Sequence, residues 1–247
     1  MVIPAYRPNV DRLRSYVDAL QAELAPSAVR VELDDPDDEV ATELADLPAT
    51  VNVSPYRRGK GAAITVGFEA LGTDLLAFSD ADGSTPAASL ARVVDRVRAG
   101  TDVATGSRRH PDATVAAHQT LARRYMGDGF AWLARRLLEV DLYDYQCGAK
   151  ALTAAAWERI REHVYEAGFA WDVELLAIAG ALELDVAEVP IEWHDQPGST
   201  VSPVRTSLAL ARALLRARHR AKRIRNSTLH TALASRRDEG PALVDRR

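Results

Sequence analysis

Leu75-Leu76-Ala77-Phe78-Ser79-Asp80-Ala81-Asp82-Gly83 is the stretch that decides the fold. Leu75 to Ser79 carries no charge, which suits a strand buried on both faces, and two carboxylates one residue apart close it. Upstream, Val2-Ile3 closed by Pro4, Val29 to Leu33 ending in Asp34-Asp35, and Thr50 to Val53 also read as strands. Asn9 suits the cap of a helix with apolar positions Val10, Leu13, Val17, Leu20 and Leu24. A short helix is expected after Asp37 and another over Gly61 to Leu71. Downstream, Pro86 fits the first turn of a helix running toward Ala99, and Val103-Ala104-Thr105 is the next strand. The alternation predicts an α/β fold, a mostly parallel central sheet with helices on both faces.

The second half is less regular. Leu121 to Val140 reads as a long helix interrupted at Gly127-Asp128-Gly129, and Lys150 to Thr153 as a strand followed by a helix around Trp157. Trp171 to Leu182 reads as a helix and Val186 to Trp193 as one strand. From Pro203 to Arg225 the pattern is amphipathic: Leu210, Leu214, Ala217, Ala221 and Ile224 form one stripe, and Arg205, Arg212, Arg216, Arg220 and Arg223 the other. Beyond Asn226 the chain is polar and aperiodic, and disorder is expected. The expected organisation is a domain over 1–202, a basic amphipathic helix over 203–225 and a disordered tail over 226–247.

Composition narrows the function. The 247 residues are 47% hydrophobic and 27% charged, the balance of an ordinary globular protein. A formal net charge of −4 argues against wholesale nucleic-acid binding. Cys147 is the single cysteine, which excludes a disulfide framework and a cysteine-built zinc site. No apolar run approaches the roughly 20 residues of a membrane span, and Met1 leads into Val2-Ile3-Pro4 without a signal-peptide pattern. The expectation is a cytoplasmic protein whose link to a membrane is peripheral. Lys60, Lys150 and Lys222 are the only lysines among 31 basic residues, so a lysine inside a motif is a weak pointer.

Ligands of open parallel sheets bind at the carboxyl ends of the strands, and the chain puts Asp34-Asp35 and Asp80/Asp82 there. An Asp-x-Asp pair suits a divalent cation on a diphosphate, since Mg²⁺ and Mn²⁺ take few protein oxygens and fill the rest with phosphate and water. Read alone, Asp82-Gly83-Ser84 equally suits a plain turn. Arg58-Gly59-Lys60-Gly61 opens a helix where backbone N–H groups and Lys60 can meet a phosphate, though it is neither a P-loop nor a dinucleotide fingerprint. Gly106-Ser107-Arg108-Arg109-His110 follows a strand and suits an anion. Asp172 and Glu174 begin a helix, where helix-dipole complementarity is the plain alternative.

Seven motifs stand in one order: Val2-Ile3-Pro4-Ala5-Tyr6, Arg58-Gly59-Lys60-Gly61, Asp80-Ala81-Asp82-Gly83, Gly106-Ser107-Arg108, Gln146-Cys147-Gly148-Ala149-Lys150, Phe169-Ala170-Trp171-Asp172-Val173-Glu174-Leu175-Leu176, and Trp193 through Gly198-Ser199. Over about Val2 to Ser202 this series resembles the family 2 inverting glycosyltransferases of GT-A fold, within them the dolichyl-phosphate glucosyl- and mannosyltransferase group. The resemblance implies a nucleotide pocket lined by Pro4, Tyr6 and Asp35, with Asp34 as the substitute for Asp35. It implies Asp80 and Asp82 holding Mg²⁺ or Mn²⁺ on the donor diphosphate and Lys60 close to the donor. Arg108 would sit at a donor or acceptor phosphate, and Gln146, Asp172 and Glu174 at the sugar and acceptor side. The chain departs from the family pattern at Arg7, where Asn is usual, at Pro36-Asp37, where Gly-Ser is usual, and at Thr65, where Arg is frequent.

The implied reaction moves glucose or mannose from a UDP- or GDP-sugar to dolichyl or another polyprenyl phosphate. A phosphate monoester has its second pKa near 6, so such an acceptor arrives ionised. A saccharide acceptor, the alternative, needs a general base, for which Asp172 or Glu174 is the candidate. A nucleotidyltransferase is disfavoured because no Gly-rich basic loop follows the first strand. A non-catalytic nucleotide-sugar-binding module is opposed by the intact Asp80 and Asp82. A lipid acceptor implies contact with the cytoplasmic face of a membrane, for which the basic helix over 203–225 is the candidate, with packing on the domain as its alternative.

Overall fold

The uncharged stretch Leu75–Ser79 forms a strand near the middle of a seven-stranded sheet. The computed structural model describes residues 1–116, 121–194, 203–227, 230 and 240–246. In chain order the elements are β1 (Val2–Tyr6), α1 (Val10–Leu24), β2 (Arg30–Asp34), α2 (Asp38–Glu43), β3 (Thr50–Ser54), α3 (Lys60–Glu69), β4 (Leu75–Ser79), α4 (Ala87–Arg98), β5 (Val103–Ser107), β6 (Thr114–Ala116), α5 (Leu121–Leu137), β7 (Ala149–Thr153), α6 (Ala154–Ile160), α7 (Trp171–Ala181), β8 (Val186–Pro190), β9 (Glu192–His194) and α8 (Pro203–Ile224). Short 3-10 turns lie at Arg161–His163 and Leu243–Asp245.

The sheet order is β3-β2-β1-β4-β7-β5-β8, and β7 alone runs antiparallel to its neighbours β4 and β5. Side chains alternate across each strand, so the two faces have separate cores. Ile3, Ala5, Val31 and Leu33 pack with Leu13 and Val17 of α1 and Leu90 and Val93 of α4. Val2, Leu76 and Phe78 pack with Ile64 and Phe68 of α3 and Trp171 of α7. The mostly parallel sheet with helices on both faces is therefore as the strand-helix alternation predicts.

Every residue of α7 is buried, Asp172 and Glu174 included, so the helix needs a cover on its outer side. α8 is that cover: Leu214, Ala217 and Ala221 are buried in one core with α7. Arg216 and Arg220 of the basic stripe pair with Glu166 and Glu174 of the domain, and beside the stripe Lys222 pairs with Glu139 and Arg225 with Glu139 and Glu183. Of the two roles weighed for this helix, packing on the domain is the one its apolar stripe performs.

Three local expectations change. Val186 to Trp193 is two strands: Ile191 N–H still donates to Ser107 O of β5 at 3.1 Å, and from Glu192 the chain crosses to pair with β6. The Gly127-Asp128-Gly129 cluster does not interrupt α5. The tail beyond Asn226 is not disordered throughout. Ala242 and Leu243 are buried, Leu243 N–H donates to Val164 O at 2.8 Å, and Arg246 donates to Tyr165 O at 3.0 Å. Two apolar residues make no periodicity, so pattern alone misses them. Gly198-Ser199, like 231–239 of the tail, lies outside the described residues.

Candidate active site

Because β1, β2, β4 and β5 are parallel, Tyr6, Asp34-Asp35, Asp80 and Ser107-Arg108 arrive at one edge of the sheet. β7 runs the other way, so its start brings Gly148 to the same edge, where Asp80 N–H donates to Gly148 O at 3.0 Å. A Cβ on Gly148 would lie 1.9 Å from Asp80 Oδ2, so only glycine admits this carboxylate. The Asp82 loop is pinned from α1, where the Tyr16 hydroxyl lies 2.7 Å from Ser79 Oγ and donates to Thr85 O at 2.8 Å. Asp82 Oδ1 accepts the Ser84 N–H at 2.9 Å, and the residue is exposed. The turn and the ligand reading thus describe the same atoms.

At the centre, two of the chain's three lysines meet two aspartates. Lys60 Nζ, at the start of α3, lies 2.9 Å from Asp80 Oδ1 and 2.9 Å from Asp172 Oδ2. Lys150 Nζ lies 2.7 Å from Asp172 Oδ1 and donates to Cys147 O at 2.7 Å. Burial pushes the Asp172 pKa up, but Lys150 and Lys60 outweigh it and hold the carboxyl below the usual carboxylate range. Burial likewise pushes the Cys147 thiol up to about 12, which makes it a packed apolar group and no nucleophile.

On the donor side, Tyr6 is partly exposed, with the Arg57 guanidinium 4.1 Å and the Arg7 guanidinium 5.2 Å from its ring. Pro4 sits two residues back within β1, half-buried opposite Glu32. The two candidate aspartates separate. Asp34 is buried and accepts the backbone N–H of Arg58 (2.8 Å), that of Gly59 (2.9 Å) and Arg58 Nε (2.7 Å). It holds the loop that delivers Lys60. Asp35 is exposed at the strand end. Glu32, unnoticed in the sequence, completes the brace by accepting from Arg58 (2.8 Å) and Asn52 (2.7 Å). Thr65, the departure inside α3, is buried beneath the Trp171 indole, whose N–H donates to it at 3.3 Å.

On the other side, Arg108 is not a free clamp. Asp144 takes its Nε at 2.7 Å and Nη2 at 3.0 Å in a bidentate pair, and also accepts the N–H of Gln146 at 3.0 Å. The Arg108 guanidinium lies 5.7 Å from the Trp193 ring, and Nη1 has no protein partner among the described residues. Glu188 in turn accepts the N–H of Asp144 at 2.7 Å. Asp144 was missed because the motif beginning at Gln146 stops two residues short of it.

Despite burial, Arg108 holds the Asp144 carboxyl far below the usual range. A depressed carboxyl pKa adds stability above the unfolded value of about 4 and loses it as pH falls toward the folded one. Asp144→Asn is therefore expected to cost roughly 2–3 kcal/mol at pH 7. In urea unfolding the gap to wild type should narrow steadily below about pH 4. A gap that stays constant with pH would refute the assignment.

Glu174 is a correction. It accepts the N–H groups of Tyr165 (2.8 Å) and Glu166 (2.7 Å) and pairs with Arg220 of α8, so it ties a loop and a helix together and does not join the lysine-aspartate cluster. Asp172 joins it, and Gln146 stands half-buried between Asp144 and Cys147.

Among the described residues no group of three or more His, Cys, Asp and Glu could by itself hold a metal ion. Asp80, whose side chain is 42% exposed, and the exposed Asp82 offer hard oxygens at the carboxyl end of β4. That donor set fits Mg²⁺ or Mn²⁺ completed by a ligand's phosphates and water.

The pattern described as "Glycosyl transferase family 2" matches residues 2–142. The chain is 34% identical over 227 residues to "Glycosyltransferase AglD" of Haloferax volcanii, covering 87% of this chain and 36% of that protein. It is 32% identical over 169 residues to "Dolichyl-phosphate beta-glucosyltransferase" of Mus musculus, covering 64% of this chain and 51% of that one. The chain thus spans about half or less of the length of these relatives. Among solved structures, glucosyl-3-phosphoglycerate synthase from Mycobacterium tuberculosis, in complex with Mn²⁺, UDP-glucose and phosphoglyceric acid, superposes with a TM-score of 0.69 at 16% identity, over 88% of this chain and 78% of that one. Mannosyl-3-phosphoglycerate synthase from Rubrobacter xylanophilus does so with a TM-score of 0.67 at 18% identity, over 90% of this chain and 74% of that one. At these identities the two structures establish the fold.

Proposed function

Because the chain belongs to glycosyltransferase family 2, we propose that it moves glucose or mannose from a UDP- or GDP-sugar to a polyprenyl phosphate such as dolichyl phosphate. The observation that carries this reading is the state of Asp172. Its oxygens are taken by Lys60 and Lys150, and they hold its pKa down, so it makes a poor general base. Glu174 is engaged elsewhere. Such a site suits an acceptor that arrives already ionised, as a phosphate monoester does near neutrality. The name of the similar mouse protein agrees.

In this reading an acceptor phosphate oxygen attacks the anomeric carbon in line with the departing nucleoside diphosphate, and the configuration inverts. Arg108, held rigid by Asp144, offers Nη1 to the acceptor phosphate. Lys60 sets a positive charge beside the donor, while Tyr6 and the exposed Asp35 line its nucleotide pocket. A Mg²⁺ or Mn²⁺ on Asp80 and Asp82 would supply Lewis-acid stabilisation of the diphosphate leaving group. Gln146 faces the sugar and acceptor side. No helix among the described residues is long and apolar enough to cross a membrane. In this reading the lipid acceptor is met at the cytoplasmic face of a membrane.

The test supplies polyprenyl phosphate, Mn²⁺ or Mg²⁺, and radiolabelled UDP-glucose and GDP-mannose in parallel. Label entering the organic phase with one donor is the expected result and names the sugar. Metal-dependent turnover giving only a water-soluble glycoside would move the acceptor to a saccharide. No turnover of either donor would overturn the reading.

A further inference from the structure

The apolar stripe of α8 is covered by α7, but another surface has the chemistry of a lipid contact. On α5, Trp132, Arg135 and Arg136 are spaced i, i+3, i+4 and share one face. Trp132 is 57% exposed and Tyr143, just beyond the helix, 41%. The Arg136 guanidinium lies 5.2 Å from the Trp132 ring and that of Arg135 5.3 Å from the Tyr143 ring. His110 meets Tyr143 edge-on at 5.6 Å.

Two features separate this strip from ordinary surface. Neither Arg135 nor Arg136 has a carboxylate partner among the described residues, whereas Glu139 beside them is committed to Lys222 and Arg225, and Asp128 to Arg109. The strip is also continuous with the site. Tyr143 precedes Asp144, Glu188 accepts both of their N–H groups, and Asp144 grips Arg108. Indole and phenol rings favour the headgroup level of a bilayer, and each arginine near an anionic leaflet raises partitioning about five-fold.

We propose that the strip of Trp132, Arg135, Arg136 and Tyr143 rests on an anionic phospholipid surface and so sets the Arg108 side of the cleft against the membrane. This deepens the lipid-acceptor reading and rests on it. The occupant is the bilayer, because guanidiniums with no carboxylate partner among the described residues, set over exposed rings, match anionic headgroups above an apolar layer.

The experiment is co-sedimentation of the full chain with vesicles of phosphatidylcholine alone and of phosphatidylcholine with phosphatidylglycerol. Salt-sensitive binding to the anionic vesicles is expected. The double variant Arg135→Glu/Arg136→Glu should lose at least about ten-fold in partitioning, and Trp132→Ala should weaken it too. Arg212→Glu, on the exposed side of α8, should leave it unchanged. Circular dichroism should show all of these variants folded, since the side chains are exposed.

Wild-type chain that ignores anionic vesicles, or an α5 double variant that binds as wild type does, overturns the proposal. So does a lipid-free dimer that Trp132→Ala dissolves, which would give the strip to a second copy of the chain. Transfer to a short, water-soluble prenyl phosphate is measured beside it. If vesicles bind but no prenyl phosphate is glycosylated, the lipid-acceptor function fails and with it the purpose assigned to the strip. Transfer without vesicle binding overturns the strip alone.

Discussion

Asp82→Ala is expected to lower hexose transfer by about a thousand-fold or more, equivalent to about 4 kcal/mol of transition-state stabilisation. In the proposed reaction the diphosphate leaving group gathers negative charge as the glycosidic bond breaks, and Asp80 and Asp82 would hold the cation that stabilises it. The fold should survive. Asp82 is exposed, and the bond lost is its acceptance of the Ser84 N–H, worth about 1 kcal/mol. Asp82→Asn keeps that acceptor while removing the charge, so it should melt as wild type does and still be inactive. Transfer rate and melting temperature measured together decide the matter. An active Asp82→Asn enzyme would remove Asp82 from the metal site.

The largest loss of stability is expected from Asp172→Asn. Lys150 is 0% exposed, and its countercharge is Asp172, 2.7 Å away. Removing one member of a buried pair leaves the other uncompensated and costs about 3–5 kcal/mol, which in a chain of this length lowers the melting temperature by about 10 °C. Lys60 remains on Asp80 and keeps one partner. The double variant Asp172→Asn/Lys150→Met removes the stranded charge and should regain much of the loss, because neighbouring substitutions in one network are not additive. Calorimetry of both variants is the measurement. A single variant that melts within a degree or two of wild type would show that Lys150 has another way to be neutralised.

Much of the architecture was legible in local pattern. The apolar Leu75–Ser79 strand, the 3.6-residue spacing in α1 and Pro86 at the head of α4 each report a local physical preference, and such preferences are written in adjacent residues. The site was legible to the same depth. Carboxylates after apolar strands had to gather at one edge once the strands were parallel, and the scarcity of lysine pointed at Lys60. That signal also fitted Lys150, which the same bias could have found. The crossing to β6 after Ile191 and the docked turn at Leu243–Asp245 were not legible, and for α8 the pattern left packing and membrane contact both open, since each depends on which surface lies opposite.

The sequence by itself determined the fold class, the order of the motifs and the edge of the sheet where chemistry gathers. Only the tertiary structure decided which charged groups are free to act. Asp34 and Asp35 are adjacent, yet one is spent on the Arg58-Gly59 backbone and the other is exposed. Asp172 and Glu174 both open α7, but residues two apart on a helix point about 200° apart. One therefore meets Lys60 and Lys150 and the other Arg220. A carboxylate's partners set its charge and its reach, and here Lys60 comes from 112 residues away, a distance that no local pattern records.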